Sequence, residues 1–117
     1  MAEKGSMLKI YASSTDKAGD QLLYEIVVTM ARDAGLSGCT VYRGIMGYGT
    51  TSHITMSKFW EITEKLPVII EIVDSTEKID AFFTILEPIL HSMPKGCLVA
   101  KIPIEVLLKK TGRVKNG

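Results

Sequence analysis

The chain has 117 residues, which is enough for one domain with a substantial core but not for two. Fourteen Lys and Arg nearly balance thirteen Asp and Glu, which argues against a broad basic surface for nucleic acid. The composition is apolar for a small domain, with 46% hydrophobic residues and a mean hydropathy of +0.19, and this favours self-association. Two cysteines and the lack of a signal-type segment or a membrane-length apolar run predict a cytoplasmic protein that is not embedded in a membrane.

The N-terminal third of the chain predicts one strand and one helix. Residues 1–6 are polar and are expected to form a flexible leader. "MLKIYA" (7–12) then alternates apolar and polar residues, as a strand with unlike faces does. Apolar residues at helical spacing predict a first helix over Gln21 to Ala34, with Asp20 as its N-cap and Gly35 as its C-terminal stop.

Three more strands and a second helix follow. "CTVYRGIM" is rich in β-forming residues, and "LPVIIEIV" predicts a third strand in the middle of a sheet. Asp74 and Glu77 form a capping-box pattern before a second helix that ends at Pro94. "CLVAKIPIEVLL" predicts a fourth strand, and its Pro103 indicates either an edge position or a bend. The apolar stripe of the second helix consists of Ile79, Phe82, Phe83, Leu86, Ile89, Leu90 and Met93.

This βαββαβ order predicts an α+β fold, a ferredoxin-like two-layer sandwich with one antiparallel sheet and both helices on one face. We expect a single domain over residues 7–108, followed by a basic tail over residues 109–117. The second and fourth strands should lie at opposite sheet edges. Cys39 and Cys97 would then remain free thiols.

The sheet face without helices should be partly apolar. If Leu8, Ile10, Val68, Ile70 and Ile72 point to the helices, alternation assigns the other face to Lys9, Tyr11, Ile69, Glu71, Val73, Val99 and Lys101. Such a face is expected to be covered by another subunit or a ligand. Glu71 needs a partner there, and Lys9 and Lys101 are the candidates.

The nineteen residues from Gly47 to Lys65 are long for a connection between two strands. Glycines at positions 44, 47 and 49 permit positive φ and can present backbone N–H groups to a phosphate. The alternative is a flexible loop whose glycines only end an edge strand. Phe59, Trp60 and Ile62 either pack the loop onto its own or a neighbouring subunit or form a docking surface for a partner protein.

No catalytic set emerges from the sequence. Ser52 and His53 are adjacent, so their side chains diverge and cannot act as nucleophile and base. The two histidines, His53 and His91, have no metal-ligand spacing with each other or with the cysteines. We therefore expect neither an enzyme nor a metal protein.

Four segments carry a resemblance to a known family: "LKIY", "GCTVYRGIMGYG", "LPVIIEIVD" and "KGCLV". They closely resemble family 190 of the domains of unknown function, uncharacterised relatives of the PII signal-transduction proteins. The likeness runs from Met7 to about Val106. It implies the ferredoxin-like fold and a homotrimer whose sheets face a central axis.

The resemblance to PII proteins also implies an adenine nucleotide bound in clefts between neighbouring subunits. The matching positions are Thr40, Gly47, Gly49, Glu71, Val73, Lys95, Gly96, Lys109 and Lys110. Arg43 and His53 are distinctive of the family and either face the ligand or brace the long loop. Because "MPKG" before the fourth strand lacks the fuller glycine-rich pattern of PII, AMP or ADP is expected to fit better than ATP.

The leading hypothesis is a trimeric PII-like sensor in which the nucleotide orders residues 47–65 and changes which partner they contact, for example a transporter or a metabolic enzyme. A second hypothesis is a structural or metal-tolerance trimer resembling the CutA-type proteins, with an inert loop and no nucleotide. A third, an enzyme acting on a small anion, has the least support.

Overall fold

The computed structural model describes residues 3–49, 55–56 and 65–113. Four strands form one antiparallel sheet in the order β4-β7-β1-β8, and both helices pack on the same face of it. This is the predicted α+β ferredoxin-like sandwich. The elements in chain order are β1 (Glu3–Ser13), β2 (Lys17–Ala18), β3 (Gln21–Leu22), α1 (Leu23–Asp33), β4 (Gly38–Arg43), β5 (Met46–Gly47), β6 (Thr55–Met56), β7 (Pro67–Asp74), α2 (Thr76–Ser92) and β8 (Leu98–Val106).

The hydrophobic core lies between the sheet and the two helices. Every second residue of β7 is buried, which is the period of two that the sequence shows. Burying each large side chain stabilises the fold by roughly 1.5–3 kcal/mol relative to exposure. The core residues include Leu8, Ile10, Leu23, Val27, Ile70, Ile72, Ile79, Phe82, Leu86 and Leu90.

The N-terminal elements differ from the prediction in two places. Strand β1 begins at Glu3, so residues 3 to 6 belong to the sheet and not to a flexible leader. Helix α1 begins after a short β2–β3 hairpin, and Asp20 lies in the turn of that hairpin. The prediction of Asp20 as the N-cap is therefore wrong, and the actual N-cap, Leu22, makes no side-chain hydrogen bond.

The ends of the helices otherwise follow the sequence signals. Gly35 has a φ of +77° and its N–H donates to the carbonyl oxygen of Arg32 at 3.1 Å, which confirms the predicted stop of α1. Helix α2 ends before Pro94 as predicted. Its N-cap is Ser75, whose Oγ accepts from the N–H of Lys78 at 3.3 Å, so the capping prediction was displaced by one residue.

The register of β8 corrects part of the face assignment. Val99 pairs with Ile10, and Lys101 pairs with Leu8, so both lie on the helix-covered face. There, Lys101 Nζ donates to Asp80 Oδ1 of α2 at 2.9 Å. The uncovered face of β8 instead carries Leu98, Ala100, Ile102 and Ile104. The prediction that β8 residues alternate between the two faces was correct. Which of the two alternating sets faces the helices, however, depends on the register with which β8 pairs with β1.

The two sheet edges are as predicted. Strands β4 and β8 lie at opposite edges, and Cys39 and Cys97 are free. Pro103 lies within the edge strand β8. The predicted second strand is divided, because β4 ends at Arg43 and β5 pairs with β6 as a separate ribbon at the start of the 47–65 segment. His53, Phe59, Trp60 and Ile62 lie outside the described residues.

In the described part of the chain, neither helix combines the length and apolar character that crossing a membrane requires.

Candidate functional site

A cavity of about 370 Å³ lies where β7 turns into α2. Strand β7 ends opposite Ser6, whereas β1 and β8 continue as a two-stranded ribbon from that point to Glu3 and Val106. The early end of β7 leaves a notch beside the ribbon. Its walls are Glu3, Lys4, Gly5, Ser37, Gly38, Thr40, Glu71, Val73, Asp74, Ser75, Val106, Leu108 and Lys109.

Asp74 joins three segments at this notch. Its Oδ2 accepts from the N–H of Ser37 at 2.8 Å and from the hydroxyl of Ser37 at 3.0 Å, and its Oδ1 accepts from the N–H of Ser75 at 2.7 Å. Burial alone would raise the pKa of this carboxyl, but these donors and the charge of Lys78 outweigh it and lower the pKa below its ordinary 3.8. Asp74 is therefore a satisfied structural carboxylate at the cavity wall.

Gly5 allows the ribbon to pass close to the end of β7. A Cβ at this position would lie 2.6 Å from the backbone oxygen of Asp74. The cavity wall therefore requires glycine at this point in β1.

The bare face of the sheet is the face that carries no helix: Lys9 and Tyr11 of β1, Thr40 and Tyr42 of β4, Ile69, Glu71 and Val73 of β7, and Leu98, Ala100 and Ile102 of β8. Its centre is polar. The hydroxyl of Tyr42 donates to Glu71 Oε2 at 2.7 Å, and Lys9 Nζ lies 3.5 Å from the same oxygen. This confirms Lys9, and not Lys101, as the partner of Glu71.

Charges in this network shift two pKa values. The hydrogen bond to Glu71 is the largest cause that raises the pKa of Tyr42, followed by burial and by the negative charge of Glu71. For Lys9, burial would lower the pKa, but the neighbouring Tyr11, Tyr42 and Glu71 raise it overall. Lys9 Nζ also lies 5.7 Å from the centre of the Tyr11 ring. Both shifts preserve the hydrogen-bonded, charge-paired state of the network at neutral pH.

Four of the predicted site residues converge at the cavity: Thr40, Glu71, Val73 and Lys109. Thr40 and Glu71 are directly paired across β4 and β7. This places a hydroxyl, a carboxylate and an apolar side chain on one wall and a cation on another.

The remaining predicted residues do not reach this cavity within one chain. Arg43 pairs with Val68, five residues along the strand from the Gly38–Val73 pair at the cavity. This corresponds to a distance of roughly 17 Å. Gly47 and Gly49 follow beyond Arg43. Lys95 and Gly96 precede β8, whose first residue pairs with Tyr11, at the sheet end remote from Glu3. Lys110 is not part of the cavity wall, and His53 lies outside the described residues.

Several cavity residues were missed by sequence reasoning. Glu3, Lys4 and Gly5 were set aside as a leader because their pattern is polar. Asp74 appeared only as a capping signal and Ser75 was not singled out, although a strand end next to a helix start is a common place for a ligand. No signal in the sequence marked Ser37 or Val106.

Gly44, one of the three glycines of the predicted phosphate cradle, has a packing role. Among the described glycines, only Gly19 and Gly35 have positive φ, so Gly44, Gly47 and Gly49 do not adopt it. A Cβ on Gly44 would lie 2.9 Å from the ring of Pro67, and the N–H of Gly44 donates to the carbonyl oxygen of Pro67 at 2.8 Å. Gly44 therefore permits close packing against the start of β7.

The cysteines and acidic residues do not suggest other chemistry. Burial raises the pKa of the Cys39 thiol, and burial together with the charge of Asp16 raises that of Cys97. Both thiols are therefore less reactive than ordinary ones. Within residues 3–49, 55–56 and 65–113, no cluster of His, Cys, Asp and Glu has the grouping needed to hold a metal ion.

Comparison with known proteins agrees with this architecture. Residues 5–106 match the model of family 190 of the domains of unknown function, described as uncharacterized ACR. A UPF0166 protein of Aquifex aeolicus is 37% identical over 79 residues, which cover 68% of this chain and 75% of the relative. A UPF0166 protein of Methanocaldococcus jannaschii is 39% identical over 77 residues, covering 66% of this chain and 70% of the relative.

Two solved structures with a similar fold are PII-like proteins. CPII, a nitrogen regulatory PII-like protein from Thiomonas intermedia bound to ADP, AMP and bicarbonate, superposes with a TM-score of 0.68 at 15% identity, covering 91% of each chain. A PII-like signalling protein from Thermus thermophilus has a TM-score of 0.64 at 14% identity, covering 90% of this chain and 91% of the other. The sheet order, the two helices and the match over residues 5–106 lead to one conclusion: the chain belongs to family 190 of the domains of unknown function and has a PII-like fold.

Proposed function

We propose that this protein is a trimeric PII-like regulatory protein. It binds an adenine nucleotide, AMP or ADP, in clefts between neighbouring subunits, and it regulates a partner through the segment over residues 47–65. It acts by binding and not by catalysis. The observation that carries the proposal is the position of the cavity, which opens beside a sheet face that no helix covers.

The bare face supports self-association. Its large apolar side chains are well exposed in the single chain: Tyr11 40%, Tyr42 40%, Ile102 40% and Leu98 59%. The ion pair between Lys9 and Glu71 balances the charge at its centre. A second copy of the chain offers the same pattern of apolar groups and paired charges, so copies can cover one another without isolating a charge.

The cavity supports a nucleotide as the ligand. Its volume falls within the usual range for small-molecule sites, and its wall combines the apolar surface of Val73 and Val106 with the polar groups of Thr40 and Glu71. Lys4 and Lys109 are the cations in the cavity wall. The wall also carries the carboxylates of Glu3, Glu71 and Asp74. Its two cations can therefore offset the charge of one or two phosphates better than that of three, which favours AMP or ADP over ATP. CPII, which shares the fold, is described as bound to ADP and AMP.

The separation of the predicted residues into two groups fits a cleft between subunits. Gly47 and Gly49 follow β4, whereas Lys95 and Gly96 precede β8 at the opposite edge, and three strand spacings of about 4.8 Å separate these edges. We place Lys95 and Gly96 of one subunit near the nucleotide that its neighbour binds. Arg43, the last residue of β4, would then lie next to the start of the 47–65 segment. Its role toward the ligand or the loop, like that of His53, stays a prediction.

Calorimetry combined with light scattering tests this function. We expect a mass of three chains and heat with AMP and ADP, with weaker binding of ATP. Lys109→Ala should weaken ADP binding about tenfold because a charge-assisted contact is lost. Lys17→Ala is the matched control, because this exposed lysine lies in β2 and is not part of the cavity wall.

Hydrogen exchange provides the readout for regulation. ADP should slow amide exchange over residues 47–65, because ordering that segment is how the nucleotide would change partner contacts. A trimer that gives no heat with any nucleotide would overturn the proposal and favour the structural, CutA-like alternative. A single chain in solution at working concentration would contradict both.

A further inference from the structure

We propose that Glu71 couples nucleotide binding to self-association, so that an occupied cavity holds the subunits together more tightly. This inference rests on the proposed function, because it requires both a nucleotide in the cavity and a neighbouring copy on the bare face. Glu71 is the residue through which the two would communicate.

Glu71 lies both on the cavity wall and on the bare face of the sheet. It lies on the cavity wall with Thr40, to which it is directly paired across β4 and β7. It also forms the centre of the bare-face network with Lys9 and Tyr42. A single carboxylate thus contributes to the ligand site and to the surface that the next subunit would cover.

The two oxygens of this carboxylate have different surroundings. Tyr42 and Lys9 both contact Oε2, at 2.7 Å and 3.5 Å. Among the described residues, none donates a hydrogen bond to Oε1. The network therefore fixes the carboxylate through one oxygen and leaves the other to accept a donor from the ligand, such as the amino group of an adenine base.

Covering the bare face would strengthen this arrangement. In the single chain Tyr42 is 40% exposed, so water competes for its hydroxyl and for Glu71. A neighbouring copy on the face excludes that water and immobilises Tyr42 and Lys9. The carboxylate is then held ready for the ligand, and a preorganised site binds more tightly. By reciprocity, a ligand that prefers the covered state must stabilise it by the same factor.

Subunit exchange measures this coupling directly. Unlabelled protein and uniformly ¹⁵N-labelled protein are mixed with and without ADP, and native mass spectrometry follows the appearance of mixed assemblies. For the wild type we expect ADP to slow the exchange about tenfold, the effect of one hydrogen bond to a charged group.

Tyr42→Phe keeps the ring on the bare face but removes the hydroxyl that holds Glu71. We expect this variant to assemble, to bind ADP about tenfold more weakly and to lose most of the slowing by ADP. Tyr24→Phe is the matched control. It also removes one phenol hydroxyl, but Tyr24 belongs to α1, which packs on the opposite face of the sheet. It should therefore retain the wild-type response.

The outcomes separate this inference from the proposed function. A wild type that neither assembles nor binds ADP removes the proposed function and the coupling together. A wild type that does both, but whose exchange rate is the same with and without ADP, overturns the coupling alone. So does a Tyr42→Phe protein whose affinity and slowing match those of the wild type.

Discussion

At the residue scale, Asp74 shows how one carboxylate can organise the end of a sheet. It accepts hydrogen bonds from the segment before β4 and from the residue that caps α2, so three parts of the chain meet at one side chain. Asp74→Asn places an amide N–H₂ where an acceptor is needed. We expect a loss of about 1–3 kcal/mol in the free energy of unfolding near pH 7.

The pH dependence of this loss has a definite sign. Because folding lowers the pKa of Asp74, its contribution is complete above the ordinary value of 3.8 and disappears as the pH falls through the lower folded value. Urea unfolding from about pH 7 to about pH 2 should therefore show the wild type and Asp74→Asn converging in acid. Asp33→Asn removes an exposed charge and should stay close to the wild type throughout. A difference that is independent of pH would refute this assignment.

Some site residues could be predicted from the sequence, and others could not. Thr40, Glu71 and Val73 lie on strands whose alternation is clear, and the structure brings them to one cavity. Ser37 and Val106 depend on where chain segments far apart in sequence meet, which periodicity does not encode. Lys109 and Glu3 likewise lie on the same cavity wall only because β1 and β8 extend beyond the end of β7.

At the scale of elements, the extension of β1 beyond β7 creates the cavity and demands a glycine. Gly5→Ala would place a Cβ 2.6 Å from the backbone oxygen of Asp74, and backbone cannot move aside as a flexible side chain can. We expect a loss of about 1–3 kcal/mol, which is typical of overpacking. Urea unfolding at neutral pH measures it.

Gly38→Ala is the matched control for this substitution. Gly38 is also a strand residue on the cavity wall, but a Cβ there meets nothing within 4 Å. Its free energy of unfolding should stay within about 0.5 kcal/mol of the wild type. Equal losses at both positions would show that strand propensity, and not the contact with Asp74, sets the cost.

The sequence predicted helices and strands correctly where the signal is a local spacing of apolar residues. It failed where the result depends on how two strands pair. The helices and the central strand follow from spacing alone. Val99 and Lys101 were assigned to the wrong face because a strand's alternation gives two sets of residues, while the register with β1 decides which set meets the helices. The polar start of β1 was missed because its stability comes from pairing with β8 and not from its own composition.

At the scale of the whole molecule, the bare face should control assembly. Ile102→Lys introduces a charge into this face, and burying an unpaired charge between subunits is costly. We expect light scattering to report a smaller species than for the wild type. Ile85→Lys is the control, because Ile85 is 52% exposed on α2 while Ile102 is 40% exposed on the sheet. If both variants keep the wild-type mass, another surface must hold the copies together.

The overall fold was predictable because the order of elements and their apolar faces agree with one another. The proposed assembly and the proposed ligand could not be derived in this way, because they depend on surfaces that would meet only if copies of the chain associate.

Pro103 has a consequence for how far such association can go. It lies inside β8, the outermost strand, and its nitrogen carries no hydrogen to offer to a strand arriving from outside. The β8 edge of the sheet is therefore a poor template for adding strands from other chains. A copy that covers the bare face, as we propose, therefore need not also extend the sheet at β8.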